Sequence, residues 1–237
     1  MRLMGATAIY YRCPNSRSII DVMNRPLTDL DFVTSSKYVR HIPDFFANLG
    51  YEGNDRVNAL FGLRRQIYTD ARRGRHVDVF VDKLSFCHQI DLTDRLEVDP
   101  ITLGLADLLL EKMQIVKMNE KDAKDSVILL LNHDLSDHDG DDINAGYIAT
   151  LLAADWGFYY TVTTNLKKTA EYADSLTILD SDEKNVIQTR IHSLLERIER
   201  QNKSLRWKVR AKIGTSKKWY DDPEDVENRE LAGRKEG

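Results

Sequence analysis

Cysteine is scarce in this chain of 237 residues, which contains only Cys13 and Cys87. Two cysteines cannot form the disulfide framework of a small secreted protein, and neither belongs to a CxxC pair. No run approaches the roughly 18 apolar residues of a membrane-spanning helix, and Met1–Tyr11 is too short and too weakly basic for a signal peptide. These absences favour a cytoplasmic protein with no membrane partner.

Several catalytic and binding signatures are also missing. The sequence has no GxSxG elbow, no HExxH helix and no P-loop. The acidic segment 134–142 lacks the central glycine and the final acid of an EF-hand loop. His76, His88 and His133 have no metal-ligand spacing with either cysteine. The sequence therefore gives no support for a serine hydrolase, a zinc site or an EF-hand calcium site.

Composition and charge are those of a folded domain without a general affinity for polyanions. Hydrophobic residues make up 42% and charged residues 30%, and the net charge is −4. Contact with nucleic acid would need a local basic patch, and one extends from Lys203 to Lys218, with Trp207, Trp219 and Tyr220 in or beside it. Such a segment suits phosphate neutralisation and base stacking. The alternative is a solvated helix end whose aromatic residues pack on the body of the protein.

Hydrophobic spacing indicates strands in the first part of the chain and helices in the second. The first part is predicted to contain a turn feeding a strand at 5–11, a short helix at 15–24 and a helix at 35–50. Strands are predicted at 28–34, 64–70 and 76–82, with the last two joined by a hairpin turn. Further helices are predicted at 101–118, 120–133, 145–154, 166–174 and 182–206.

These elements predict an α+β fold, a mixed β-sheet with packed helices followed by a mainly helical C-terminal half. We place the α/β core at residues 1–98 and the helical region, packed on the core, at residues 99–220. Residues 221–237 are charged and almost without apolar side chains, which is typical of a flexible tail.

Three aspartates form the main candidate site. Asp29 and Asp31 lie two apart on a predicted strand, so their side chains face one side about 6–7 Å apart. Asp78 lies on another apolar strand, which is expected to pack beside the first. Carboxylates held in this way can bind Mg²⁺ or Mn²⁺. DxD pairs also occur by chance in solvated turns, but the apolar neighbours Leu30 and Phe32 argue against a turn.

Charged residues on the predicted helices and near the hairpin extend this candidate site. Lys112 lies on an otherwise apolar helix and either reaches the surface or holds a β- or γ-phosphate. Asp122 and Asp125 share one helix face and can orient Lys112 or a metal; a solvated helix face is the alternative for each. Arginines near Asp78 can face a triphosphate or an RNA acceptor, or form a solvated rim. They are Arg64, Arg65, Arg72, Arg73 and Arg75.

The order of these motifs resembles the nucleotidyltransferase superfamily. In that superfamily a small-residue turn precedes a DxD strand, and a later strand carries a third acid; here these are Gly5-Ala6-Thr7, Asp29-Leu30-Asp31 and Asp78. More narrowly, the chain looks like the AbiEii-type branch, which is linked to toxin–antitoxin and phage-defence systems. The segments that match the downstream helices of that branch are Asp107–Lys112 and Glu120–Asp125. The resemblance covers about residues 3–133.

The resemblance implies a nucleotidyltransferase-like fold and a metal-dependent transfer of a nucleoside monophosphate from an NTP. The acceptor would be an RNA such as tRNA, a protein or a small molecule, and an antitoxin would be a further partner. It implies that three acids hold the metal, that Asp78 alternatively acts as general base, and that five residues bind the nucleotide. The acids are Asp29, Asp31 and Asp78, and the nucleotide-binding residues are Gly5, Thr7, Lys112, Asp122 and Asp125.

Two other readings of the sequence remain open. A nucleotidyltransferase-fold protein without catalysis would serve as a nucleotide or RNA binding module, although it need not keep three acids. A helical interaction protein would use the sheet only as a scaffold.

One departure from the family pattern is the turn itself, because Gly5 is followed by Ala6 where Gly-Gly or Gly-Ser is common.

Overall fold

A computed structural model describes residues 1–70 and 72–222. It separates two compact units, the first containing Met1–Tyr11 and Pro26–Leu103 and the second containing Arg12–Arg25 and Gly104–Asp221. The first unit holds a mixed five-stranded sheet and the second is mainly helical, which confirms the predicted α+β fold. The predicted tail beyond Asp222 lies outside the described residues. No described helix combines the length and apolar character needed to cross a bilayer.

The sheet of the first unit has five strands, β1 Arg2–Met4, β2 Asp29–Thr34, β3 Glu52–Gly53, β4 Arg65–Asp70 and β5 Arg75–Val81. Their order in the sheet is β1-β2-β5-β4-β3. The central pair β2 and β5 is parallel, and the other three pairings are antiparallel. The predicted hairpin is confirmed, since β4 and β5 pair from Arg65 opposite Phe80 to Asp70 opposite Arg75.

One face of this sheet is covered by the segment that follows β2. The predicted helix at 35–50 is divided into a 3₁₀ helix, Ser36–His41, and an α-helix, α3, Ile42–Asn48. Its apolar residues pack against alternate residues of β4 and β5, which are buried in turn. The cluster comprises Val39, Ile42, Phe46, Tyr68, Val77, Val79 and Val81.

The predicted order of elements at the N-terminus is wrong. The strand β1 comes first, Gly5 turns the chain with φ +69°, and helix α1 follows as Gly5–Arg12. Ala8 and Ile9 in this helix are completely buried. The small residues that suggested a turn instead allow a helix to pack closely, because alanine has high helix propensity and little bulk.

The remaining elements of the first unit are short. Helix α4 is capped by Asn54, whose side chain accepts a hydrogen bond from the Val57 amide. Two further strands form a separate hairpin after β5. The elements are α4 Asp55–Phe61, β6 Lys83–Ser85 and β7 Gln89–Asp91.

The second unit is built from helices. A pair of two-residue strands, β8 and β9, is the only sheet among its described residues. The elements are α2 Arg17–Val22, α5 Leu105–Met113, α6 Glu120–Asn132, β8 Leu135–Ser136, β9 Ile143–Asn144, α7 Ala145–Ala154, α8 Trp156–Ser175, α9 Ser181–Arg200 and α10 Leu205–Ile213.

Three predicted helices of the C-terminal half have different limits in the structure. The helix predicted at 166–174 begins ten residues earlier, as α8 at Trp156, where the Asp155 side chain caps it by accepting from the Phe158 amide. The helix predicted at 101–118 spans only Leu105–Met113, because Leu103 donates its amide to Leu3 while Leu3 donates to Ile101. Those backbone groups are therefore committed to β1. The helix predicted at 182–206 is divided into α9 and α10, because the Ser204 side chain caps a new helix by accepting from the Trp207 amide.

Candidate functional site

Asp29, Asp31 and Asp78 lie on the two central strands of the sheet. Asp31 is directly opposite Asp78, and Asp29 is opposite His76. Neighbouring strands lie about 4.8 Å apart and alternate residues face the same side, so the three carboxylates share one face. Asp31 and Asp78 are half-buried and Asp29 is exposed. The adjacency of the two acidic strands, expected from their sequence, is thus confirmed.

The opposite face of the same strands fixes this register. Leu30 and Phe32 of β2 pack on the buried cluster that contains Val77 and Val79 of β5. A slip of one residue would turn these apolar side chains to the other face and bring the acids into the core. Burial on one side of the sheet therefore holds the carboxylates on the other.

The turn at Gly5 lies against the carboxylate of Asp31. A Cβ atom at Gly5 would lie 2.3 Å from Asp31 Oδ2, so only glycine fits without movement of that side chain. The positive φ of Gly5 gives the same preference. Thr7, two residues later, donates its hydroxyl to the carbonyl oxygen of Asp29 at 3.3 Å. The predicted turn and the predicted acids therefore meet, and helix α1 begins at their meeting point.

Arg65 of β4 binds the third acid. Its Nε donates to Asp78 Oδ1 at 2.9 Å and its Nη2 donates to Asp78 Oδ2 at 3.1 Å. The Arg65 side chain is 32% exposed and that of Asp78 is 23% exposed. The sequence placed Arg65 near the site but did not identify its partner. The antiparallel register does so, because Ile67 is opposite Asp78 and Arg65 is its diagonal neighbour on the same face.

The carboxylates on this face offer oxygen ligands of the kind that bind divalent cations. The described residues 1–70 and 72–222 contain no group of three or more His, Cys, Asp or Glu side chains arranged to hold a metal ion. Mg²⁺, however, is typically held by one or two protein carboxylates together with substrate phosphates and water. Asp31 and Asp78 can supply that share if Asp78 releases Arg65. The pair thus fits a cation that arrives with a nucleotide, and a three-acid centre stays a prediction.

In the second unit, Lys112 is surrounded by carboxylates. Its Nζ lies 3.1 Å from Asp125 Oδ2, 3.6 Å from Glu111 Oε1 and 3.7 Å from Asp122 Oδ1. Only 12% of its side chain is exposed. The structure thus brings Lys112 together with the two aspartates that the sequence placed on a shared helix face, and it adds Glu111.

Arg25 completes this cluster and had no signal in the sequence. Its Nε donates to Asp125 Oδ1 at 3.0 Å and its Nη2 donates to Asp125 Oδ2 at 2.9 Å. The Asp125 side chain is completely buried and that of Arg25 is 9% exposed. Because the two residues are 100 positions apart, no local pattern relates them. The cluster holds two cations, Arg25 and Lys112, and three carboxylates.

The pKa values of the cluster follow from this arrangement. Burial by itself lowers the pKa of Lys112, but Glu111, Asp125 and Asp122 together outweigh burial and raise it above the ordinary value. Burial raises the pKa of Asp122, which Lys112 counteracts and Asp125 reinforces. Lys112 therefore stays charged, with its charge balanced inside the second unit. Its predicted role in neutralising a triphosphate stays a prediction.

A further contact missed in the sequence joins Cys13 and His133. The Cys13 Sγ lies 3.5 Å from His133 Nε2, and His133 Nδ1 lies 2.9 Å from the Asp141 carbonyl oxygen. Burial raises the pKa of the Cys13 thiol to about 12, and burial lowers the pKa of His133. Cys13 is completely buried, and the pair connects the segment after α1 to α6.

Comparisons with protein-family profiles, with curated protein sequences and with solved structures found no match to this chain.

Proposed function

We propose that the first unit binds a nucleoside triphosphate with a divalent cation and transfers its nucleoside monophosphate to an acceptor. The observation that carries the proposal is the placement of Asp31 opposite Asp78 on parallel strands, with the Gly5 turn against Asp31. The resemblance of the motif order to nucleotidyltransferases supports the same function. The acceptor would be an RNA, a protein or a small molecule, and a toxin-like role with an antitoxin partner follows from the resemblance alone.

Each candidate site residue of the first unit has a defined role in this proposal. Asp31 and Asp78 would hold Mg²⁺ or Mn²⁺, and Asp29 lies on the same face at the start of β2. A bound cation would neutralise charge on the phosphates and on the leaving oxygen. The amides at the start of α1, next to Gly5, suit a phosphate because a helix N-terminus favours anions. Thr7 supports this turn through its hydrogen bond to Asp29.

The proposal is tested by nucleotide binding with and without Mg²⁺. In the variant Asp29→Asn/Asp31→Asn we expect the affinity for labelled ATP in Mg²⁺ to fall to the level seen without metal, because an amide cannot replace a charged oxygen ligand. Asp44→Asn, which removes an exposed carboxylate from α3 of the same unit, serves as the control. An unchanged affinity and metal dependence in the double variant would refute the site. A transfer assay with total RNA and cell extract then addresses the acceptor.

The ion pair between Arg65 and Asp78 favours a second candidate function, that of a module that binds nucleotide without a metal ion. In such a module Arg65 would remain on Asp78 and the site would not recruit a cation. The two functions predict different effects of replacing Arg65 on metal affinity. Only in a cation site does a metal ion have to displace the Arg65 guanidinium from Asp78.

Arg65→Gln separates these two functions. For the metal-dependent enzyme we expect Mn²⁺ affinity without nucleotide to rise up to about fivefold, since a half-exposed ion pair contributes no more than about 1 kcal/mol. Mn²⁺ titration followed by electron paramagnetic resonance measures this change. Asp78→Asn in the Arg65→Gln background should remove the gain. If Mn²⁺ affinity is the same in Arg65→Gln and wild type, the module becomes the better interpretation.

A further inference from the structure

Helix α10 presents an apolar stripe to solvent. Leu205, Val209 and Ile213 lie four residues apart, so they follow one another along a single face. Their exposed fractions are 82%, 62% and 45%. Aliphatic residues exposed singly are common on protein surfaces, but a contiguous row of them is a feature of interaction sites.

The opposite face of α10 is what attaches the helix to the second unit. The Trp207 Nε1 donates to the Leu152 carbonyl oxygen at 3.1 Å, and the Trp207 ring makes an edge contact with Tyr159. Arg210 lies over the Trp156 ring, 4.6 Å from its centroid. The aromatic residues of the basic C-terminal segment therefore pack inward, as one of the two sequence interpretations expected, and the apolar stripe remains outside.

Cations border the stripe. Helical spacing puts Lys208 and Lys212 along one side and Arg206 along the other, and all three are exposed. Helix α10 contains no acidic residue. Within the described parts of the chain, 1–70 and 72–222, these three cations have no carboxylate partner. The surface therefore combines a row of aliphatic side chains with uncompensated positive charge on both sides.

This combination determines which partner fits best. A nucleic acid would engage the cations, but the outward face of α10 offers no aromatic residue on which bases can stack. The same lack argues against a membrane surface, where Trp and Phe usually anchor an amphipathic helix. A second copy of α10 would bring like charges together, which opposes association. An acidic amphipathic helix satisfies both the stripe and its borders.

We propose that the outward face of α10 is a docking surface for an acidic amphipathic helix of a partner protein. Apolar residues of that helix would cover Leu205, Val209 and Ile213, in the manner of helix recognition by three or four spaced anchors. Its carboxylates would face Lys208 and Lys212 on one side and Arg206 on the other. The inference does not rest on the nucleotide site proposed for the first unit.

The test uses the full chain and a synthetic acidic amphipathic peptide of about 15 residues, with leucines at helical spacing. A peptide of the same composition, scrambled to disperse its leucines, is the ligand control. We expect the variant Leu205→Gln/Val209→Gln/Ile213→Gln to bind the ordered peptide at least about tenfold more weakly than wild type. Lys208→Glu/Lys212→Glu should weaken binding similarly and lose most of its salt dependence.

Matched controls distinguish specific peptide binding at α10 from nonspecific hydrophobic adsorption. Leu49→Gln/Leu63→Gln removes two exposed leucines from the first unit, with exposed fractions of 59% and 75%, and should leave peptide affinity unchanged. Because the α10 substitutions lie on the solvent side, circular dichroism and the melting temperature should stay near those of wild type. Equal binding of the scrambled peptide, or equal binding by the α10 variants, would overturn the proposal. Preferential binding to anionic vesicles or RNA, or stripe-dependent self-association without peptide binding, would also overturn it.

Discussion

Replacing Asp125 with alanine is expected to lower the free energy of unfolding of the second unit by about 3–5 kcal/mol. Asp125 is completely buried and bound by both Arg25 and Lys112. Its removal takes away the carboxylate that accepts two hydrogen bonds from Arg25 and lies 3.1 Å from the Lys112 ammonium. Two buried cations thereby lose their nearest counter-charge, which is far more costly than the loss of a surface pair. Urea denaturation followed by tryptophan fluorescence measures the effect.

The fluorescence signal reports on the second unit alone. All three tryptophans, Trp156, Trp207 and Trp219, lie in Gly104–Asp221. Glu120→Ala is the matched control on the same helix, because Glu120 pairs with Lys124 but is 66% exposed. Water screens an ion pair that is this exposed, so the variant should change stability little. If Asp125→Ala and Glu120→Ala had similar effects, the buried cluster would not be a major source of stability.

Replacing Gly5 with alanine is expected to abolish most of the Mg²⁺-dependent NTP binding proposed for the first unit. An alanine Cβ would lie 2.3 Å from Asp31 Oδ2, far inside van der Waals contact, so the carboxylate must move. The side chain of aspartate is short and β2 is fixed by pairing on both sides, which leaves little room for relief. We expect affinity for MgATP to fall at least about tenfold, as for loss of one charged ligand contact.

The effect of backbone strain at position 5 must be distinguished from the effect of displacing the Asp31 carboxylate. Gly50→Ala is the matched control, because Gly50 has φ +80° in the same unit but has no atom within 4 Å of an added Cβ. Both substitutions place alanine in the left-handed region, which costs about 1–2 kcal/mol, and calorimetry should record similar losses of stability from that term. Only Gly5→Ala should lose MgATP binding. Retention of MgATP affinity in a folded Gly5→Ala variant would contradict the role assigned to this turn.

The acidic face of the sheet could be expected from local patterns. Leu30 and Phe32 alternate with the aspartates of β2, and Val77 and Val79 flank Asp78. Alternation with a period of two indicates a strand buried on one side. Since the apolar residues of both strands need the same core, their acids must share the other face. The pairing of β2 with β5 follows from this requirement, although its exact register does not.

The helix limits were less predictable, because local propensity competes with distant hydrogen-bond partners. Residues 101–104 continue an apolar pattern that predicts a helix, yet the backbone groups of Ile101 and Leu103 are hydrogen-bonded to Leu3 of β1. The sequence predicts a turn at Gly5 that leads into a strand. The turn is present, but the strand β1 precedes it and the helix α1 follows it. In both places the decisive partner lies far away in the chain, where periodicity carries no information.

The sequence by itself determined the α+β fold, the acidic face of the sheet and the shared helix face of Asp122 and Asp125. The fold follows from hydrophobic spacing along the chain, and the two shared faces follow from the geometry of single strands and helices. Only the tertiary structure decided that Arg65 binds Asp78, that Arg25 and Lys112 bind Asp125 and that Gly5 lies against Asp31. These contacts arise where separate segments pack, and their free energy depends on burial and charge compensation, which no single segment contains.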